Sequence, residues 1–297
     1  MKWLDQLRLR FDAFILNRVR CRPALRHDLA QYFVTDQRAC ADLLELARQL
    51  PGDAHARAFE TAFSKHGGRL SFSQTGEDLL VEYIFRALGV AQPTYLDLGA
   101  FDPWELSNTA RLHLRGSHGV NVEPNPRQFG RFVESRPGDR NVNVGIAAAA
   151  GTLTYFEMDV PTLNTFSRTE AERCVREEGH RILRELPVPV LTLPEVLARH
   201  CDGRFPDFLS VDIEGLDQLV VDVIAAHAVK PKVVCIETIS YSRSGQGQKD
   251  EALIGALCAC GYLRFADTNI NTLFVLEHLW RAALGGASGQ PPPPGMP

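Results

Sequence analysis

The spacing of apolar and polar positions changes twice along the chain and divides it into three regions. Over residues 1–66 apolar positions recur at helical intervals, and the second such segment, LAQYFVTDQRACADLLELARQL, stops at Pro51-Gly52. Residues 67–284 alternate short β-rich runs with helical patterns. Residues 285–297 are rich in glycine and proline and offer nothing to a core. We therefore predict a helical accessory region at 1–66, one globular domain at 67–284 and a disordered tail at 285–297.

Within the globular region the β-rich runs predict strands at 94–98, 119–123, 141–146, 207–212, 232–237, 261–266 and 272–276. Helices are predicted at 105–115, 126–135, 215–227 and 250–259. The runs at 207–212 and 232–237 are nearly all apolar, as is typical of parallel strands covered by helices on both faces. No helix separates the last two strands, so the final strand is expected to be reversed. The pattern predicts an α/β fold with a doubly wound, seven-stranded, Rossmann-like sheet and an antiparallel last strand.

Charge and cysteine content narrow the function class and the compartment. The formal net charge of −4 does not indicate a basic surface that would bind nucleic acid, so a nucleic-acid substrate is disfavoured. The seven cysteines are odd in number and include no C-x-x-C pair, so reduced thiols and a cytoplasmic location fit best. No apolar run approaches the length of a membrane span.

The first residues, MKWLDQLRLRFDAFILNRVRCR, form an amphipathic helical pattern with scattered arginines. Such a helix can lie on a membrane surface, which would make the protein peripheral at the inner membrane. It can equally pack on the body of the protein or on a partner, and we favour this second interpretation.

Carboxylates close several of the predicted strands. Asp97 ends the first, Glu123 the second, Asp212 and Glu214 follow the fourth, and Glu237 ends the fifth. In a doubly wound sheet these positions face the ligand crevice. Glu123, about two dozen residues after the glycine turn, is placed to accept both hydroxyls of a ribose.

The glycine turn itself, Asp97-Leu98-Gly99-Ala100, has one glycine where a dinucleotide fingerprint needs three. Asp102 just beyond the turn would repel a phosphate. A cationic ligand without a phosphate suits these acids better, and S-adenosylmethionine (SAM) is such a ligand.

Five segments in this order resemble the FkbM-type family of SAM-dependent methyltransferases: SQTGEDLLVEYIF (73–85), YLDLGAFDPWELSNT (95–109), VNVEPNP (120–126), DFLSVDIEGLDQLVV (207–221) and VCIET (234–238). The resemblance covers about residues 71–276. It implies a class I methyltransferase fold and O-methylation, commonly of sugar or glycan hydroxyls.

The resemblance also implies site residues. The expected cofactor contacts are Gln74, Glu77, Asp78, Asp97, Gly99, Asp102, Asn108, Glu123 and Asn143. The expected catalytic residues are Asp212, Glu214 and Glu237. The run VGIAAAAG (144–151) has no acidic or amide side chain, so an adenine contact there must come from the backbone or from Asn143.

Methyl transfer to a hydroxyl needs a group that removes or weakens the hydroxyl proton. Asp212 could act alone as the base, or Asp212 and Glu237 could hold a Mg²⁺ that acidifies the hydroxyl. We expect the segment 159–186 to cover the substrate side, with Asn164, Thr165 and Arg168.

Two other classes stay open at this point. One is a catalytically silent binding or scaffold protein, and the other, which the missing glycines disfavour, is a nicotinamide-dependent oxidoreductase. The expected partner is a hydroxyl-bearing sugar or glycan; the acceptor's identity and the oligomeric state do not follow from the sequence.

Overall fold

The structure, a computed structural model, describes residues 71–213, 215–239 and 247–285. The predicted helical region at 1–66 and nearly all of the predicted tail at 285–297 lie outside the described residues. Within the described ranges, no helix is long and apolar enough to cross a membrane.

A seven-stranded sheet forms the centre of the described fold. In chain order its strands are β1 (Tyr95–Leu98), β2 (Gly119–Val122), β3 (Arg140–Val142), β7 (Phe208–Val211), β8 (Val233–Glu237), β9 (Tyr262–Asp267) and β10 (Asn271–Leu276). Their order in the sheet is β3-β2-β1-β7-β8-β10-β9. The first five run parallel, and β10 is antiparallel to both β8 and β9. The predicted Rossmann-like sheet with its reversed last strand is confirmed.

Helices accompany these strands along the chain. They are α1 (Glu77–Ala87), α2 (Ala110–Leu114), α3 (Pro126–Ser135), α4 (Arg168–Arg173), α5 (Leu193–His200), α6 (Asp217–Ala226), α7 (Glu251–Ala259) and α8 (Glu277–Gly285). Two apolar clusters pack against this sheet: one joins α5, α6 and α7 to the sheet, and the other joins α1 to the sheet. Strands β1 and β7 are buried along their whole length, as parallel strands between helical layers should be.

A second sheet was not predicted from the sequence. It consists of β4 (Gly145–Ile146), β5 (Gly151–Met158) and β6 (Ile182–Leu191) in the order β4-β6-β5. The prediction of a single strand at 141–146 is therefore wrong, because the two ends of this range belong to strands of different sheets. Pro187 and Pro189 in β6 are tolerated because β4 pairs only with Val190 and Leu191, which leaves the side facing the proline nitrogens open.

The predicted helix at 105–115 is also too long, since helical backbone covers only Ala110–Leu114. The preceding loop contains two non-glycine residues with left-handed backbone, Phe101 (φ 56°) and Leu106 (φ 56°). The Asp102 side chain stabilises this non-helical loop: its carboxylate accepts hydrogen bonds from the backbone N–H groups of Trp104 and Glu105.

Candidate functional site

A cavity of about 470 Å³ opens at the carboxyl ends of β1, β2 and β7. The predicted residues Asp97, Gly99, Asn108, Glu123 and Asp212 all line it. A doubly wound sheet binds its ligands at this edge, so the fold itself brings these residues together.

Glu123 lies just beyond β2 and is 3% exposed. One carboxylate oxygen accepts a hydrogen bond from the Phe101 backbone N–H at 2.8 Å, and the other accepts one from the Asn125 N–H at 2.7 Å. Burial raises the pKa of Glu123 to about 8, with Asp97 and Asp212 adding to the rise while the two N–H donors oppose it. Each oxygen keeps a second lone pair, so the carboxylate can still accept two hydroxyl donors.

Asp97 is the third residue of β1 and is 4% exposed. Its Oδ2 accepts a hydrogen bond from the Thr109 hydroxyl at 2.8 Å. Burial raises the pKa of Asp97, while hydrogen bonds from Thr109 and Ser210 and the charge of Arg136 oppose that rise. An anionic Asp97 in this place favours a cationic group of a ligand.

Gly99 turns the chain away from β1 with φ +74°, a conformation that favours glycine. A Cβ on Gly99 would lie 1.9 Å from the backbone oxygen of Asp212. The glycine therefore lets the β1 and β7 ends approach each other at the cavity floor.

Asp212 follows β7 directly, and its side chain is solvent-exposed in the cleft. Partial withdrawal from bulk water raises the pKa of Asp212 to about 6, and the charges of Asp217 and Asp97 add to this rise. At neutral pH the group is mostly ionised and can accept a proton.

Other predicted contacts do not reach the cavity lining. The Glu77 carboxylate instead joins the start of α1 to the β9–β10 turn, accepting bonds from Thr75, from the Thr268 hydroxyl at 2.6 Å and from Asn271 at 3.1 Å. Asp78 accepts bonds from Ser71, Phe72 and Ser73. Gln74 belongs to the same segment and is likewise not part of the lining.

Asp102, Asn143 and Glu237 also lie outside the lining. Asp102 caps its own loop and pairs with Arg131. The Asn143 amide donates to the backbone oxygens of Glu123 and Pro124, at 2.8 and 3.0 Å, so it holds the backbone at Glu123. Glu214 lies outside the described residues.

The predicted Mg²⁺ at Asp212 and Glu237 finds no support. The part of the chain that the structure describes contains no group of three or more histidine, cysteine, aspartate or glutamate side chains placed to hold a metal ion. Asp212 lines the cavity without Glu237.

One wall of the cavity comes from the small sheet, which was not predicted, and from the segment between β5 and β6, which was expected to cover the substrate side. Leu153, Tyr155, Phe166 and Asn164 lie in this wall, and the Tyr155 and Phe166 rings contact each other edge-on at 4.9 Å. Asn164 and Thr165 were expected on the substrate side, and both do line the cavity, whereas Arg168 does not. The alternation in GTLTYFEM was the signal for a strand there.

Comparison with known families fits this geometry. The model of the methyltransferase FkbM domain matches residues 97–264, more than half of the chain, and spans β1, the cavity and β8. The chain belongs to the FkbM methyltransferase family. Methyl transfer from SAM is therefore its general activity, and the nicotinamide oxidoreductase alternative is set aside.

Three solved structures show a distant similarity to the chain. Cofactor-bound Rv0187 from MTB is 13% identical with a TM-score of 0.34, and the match covers 86% of this chain and 97% of that one. A TehB-like SAM-dependent methyltransferase from Corynebacterium glutamicum is 10% identical with a TM-score of 0.36, over 75% and 98% of the two chains. Monomeric WbdD is 16% identical with a TM-score of 0.37, over 78% and 48%. No curated protein matches the chain.

Proposed function

We propose that this FkbM family member is an O-methyltransferase that uses SAM to methylate a hydroxyl of a sugar, a glycan or a glycosylated metabolite. The observation that carries the proposal is the charge of the cavity lining. Its charged side chains are Asp97, Glu123 and Asp212, and no lysine, arginine or histidine belongs to the described lining.

The acids suit the methyl donor. SAM supplies the methyl group from a sulfonium, and it carries a ribose and an amino group. Glu123 has a free lone pair on each oxygen for the ribose hydroxyls, and Asp97 provides negative charge for the cationic part. The apolar stretch Val144–Ala148 lies beyond Glu123 and offers a surface for the adenine.

We propose Asp212 as the residue that receives the acceptor's proton. It directly follows β7, the neighbour of β1, and it lines the cavity together with Asp97. With a pKa of about 6 it is ionised at pH 7 and still basic enough to be useful. We propose that Asp212 alone removes the proton of the acceptor hydroxyl, without a metal ion.

The lining also favours a neutral acceptor. A phosphate or carboxylate acceptor would enter a cavity that holds three acids and, among the described lining residues, no cation to balance its charge. Thr162, Asn164, Thr165 and Ser167 provide neutral polar groups on the small-sheet side. A sugar hydroxyl matches this mixture of hydrogen-bonding and apolar surface.

A cytoplasmic location is part of the proposal. The described cysteines Cys174, Cys201, Cys235, Cys258 and Cys260 are all free thiols, as expected in a reducing compartment. Peripheral attachment at the inner membrane depends on residues 1–22, outside the described ranges, and stays a sequence-based prediction.

The test is a panel of acceptors with methyl-labelled SAM and the full-length protein. The panel contains neutral sugars and glycans, sugar phosphates, carboxylates, amines and thiols. We expect label on hydroxyls of neutral sugars or glycans, lost in Asp212→Asn and kept in Asp222→Asn, an exposed acid on α6 away from the cavity. Transfer only to amines, thiols or carboxylates would overturn O-methylation, and SAM binding without any transfer would favour the silent scaffold.

A further inference from the structure

Arg136 is a fully buried arginine just past the end of α3. Its guanidinium lies between the rings of Trp104 and Phe132, 5.3 Å from each ring centroid. It donates to the Thr109 hydroxyl at 2.9 Å, to the Ser107 hydroxyl at 3.0 Å and to the backbone oxygen of Pro103. All these acceptors are neutral, and burying a cation without a directly bonded anion is costly. Such a cost suggests a function beyond packing.

Thr109 connects this cation to the cavity. Its hydroxyl accepts from Arg136 and donates to Asp97 Oδ2 at 2.8 Å. A guanidinium can only donate, and a hydroxyl has a single proton, so the bond from Arg136 leaves that proton for Asp97. Arg136 thus fixes the direction of the Thr109 hydrogen bond and polarises it toward the carboxylate.

Arg136 also holds the loop that forms one side of the cavity. Residues 101–109 include Phe101 and Leu106 with left-handed backbone, which costs energy in non-glycine residues. Arg136 bonds to Pro103 and Ser107 in the middle of this loop. The same loop provides Phe101, Leu106 and Asn108 to the cavity lining.

We propose that Arg136 is a positioning residue for SAM, acting through Thr109 on Asp97 and through the 101–109 loop on the cavity wall. The inference rests on the assignment of this cavity to SAM. Arg136 is fully buried and is not one of the residues that line the cavity, so its effect must pass through these neighbours.

The experiment measures SAM affinity of full-length variants by calorimetry, which needs no acceptor and therefore does not depend on O-methyl specificity. Thr109→Val removes the hydroxyl at nearly constant volume, and Thr109→Ser keeps it. Arg136→Met removes the positive charge. Arg136→Lys keeps the charge but replaces the planar guanidinium group by an ammonium group. Tyr95→Phe is the matched control, because it breaks another buried bond of β1, the 2.5 Å bond to Asp139.

We expect Thr109→Val and Arg136→Met each to weaken SAM binding about tenfold or more, the usual effect of losing a bond to a charged group. Thr109→Ser should stay within about twofold of wild type, and Arg136→Lys should recover part of the loss. The double variant Thr109→Val/Arg136→Met should bind about as well as the weaker single variant, because both act on one relay. Tyr95→Phe should lower the melting temperature and leave SAM affinity unchanged.

Wild-type SAM affinity in a folded Thr109→Val protein would overturn the proposal, even if Arg136→Met fails to fold. An equal loss in Tyr95→Phe would also overturn it, since the effect would then follow stability alone. Full additivity of the two single losses in the double variant would overturn the relay as well.

Discussion

Glu123 is the residue where ionisation and ligand binding are most directly coupled. Its pKa of about 8 means that at pH 7 only about one free molecule in ten carries the ionised carboxylate. Bound SAM brings a positive charge and two hydroxyl donors, all of which favour the ionised form. Binding should therefore release a proton, and affinity should increase as the pH rises.

The magnitude follows from the same pKa. Between about pH 6 and 7.5, SAM affinity should rise close to tenfold per pH unit, equivalent to about 1.4 kcal/mol per unit. Asp212, with a pKa of about 6, adds to this dependence only at the lower end of the range. Above about pH 8 the amino group of SAM begins to lose its charge, so the increase should end there.

Calorimetry in two buffers of different ionisation enthalpy measures the affinity and the released proton together. At pH 7 we expect about 0.9 protons released per SAM bound to wild type. Glu123→Gln keeps the shape without the charge and should bind weakly, with a pH dependence that is nearly flat over this range. Affinity that rises as the pH falls, or a wild-type slope preserved in Glu123→Gln, would refute the reasoning.

Three further predictions concern other residues. Asp212→Asn should lower kcat by about 10²–10⁴ with little change in SAM affinity. The rate of the wild type should fall as the pH drops through about 6, and this fall should be absent from the variant, whereas EDTA should leave the wild-type rate unchanged. A normal rate in Asp212→Asn would show that another residue is the base. Gly99→Ala should destabilise the fold by at least about 1–2 kcal/mol in urea unfolding, because φ at this position is +74° and the added Cβ would meet the Asp212 backbone. The control Gly130→Ala in α3 should be neutral or stabilising. Equal stabilities of the two variants would contradict the role of Gly99. Glu77→Gln should cost about 1–3 kcal/mol at pH 7 and leave SAM affinity intact. Because the folded pKa of Glu77 is about 2, against 4.5 normally, that difference should shrink as the pH falls from about 4.5 toward 2; a loss of SAM affinity would return Glu77 to the site.

The sheet was predictable because its strands are short, apolar and separated by recognisable helical patterns. Of the five predicted cofactor and catalytic residues that line the cavity, four do so for a related reason: a residue at the carboxyl end of a parallel strand faces the crevice by topology. Gly99 and Glu123 could thus be placed without any knowledge of side-chain contacts.

Residues that depend on tertiary contacts could not be placed in this way. Glu77 is an acid in a family motif, but its partners Thr268 and Asn271 are nearly 200 residues away along the chain, so only the folded structure shows its structural bonds. Residues 105–109 were predicted as the start of the helix 105–115, but they belong to the loop 101–109, whose conformation depends on Asp102 and the distant Arg136. In both cases contacts between residues far apart in the chain determine a structure that the local sequence pattern does not predict.

The small sheet was missed for a different reason. Its strand β6 contains two prolines, which normally argue against a strand, and its partner β4 is only two residues long. The part of the cavity wall that it contributes, with Leu153 and Tyr155 of β5, could therefore not be recognised from propensity.

The central claim is that this cavity holds SAM with its ribose on Glu123 and its methyl group toward Asp212. A crystal structure of the full-length protein with S-adenosylhomocysteine tests it most directly. We predict that the ribose hydroxyls lie within hydrogen-bond distance of Glu123, at about 2.6–3.0 Å, and that the thioether sulfur faces Asp212 across open space for an acceptor. A ligand bound outside this cavity, or one whose ribose contacts a residue other than Glu123, would contradict the account.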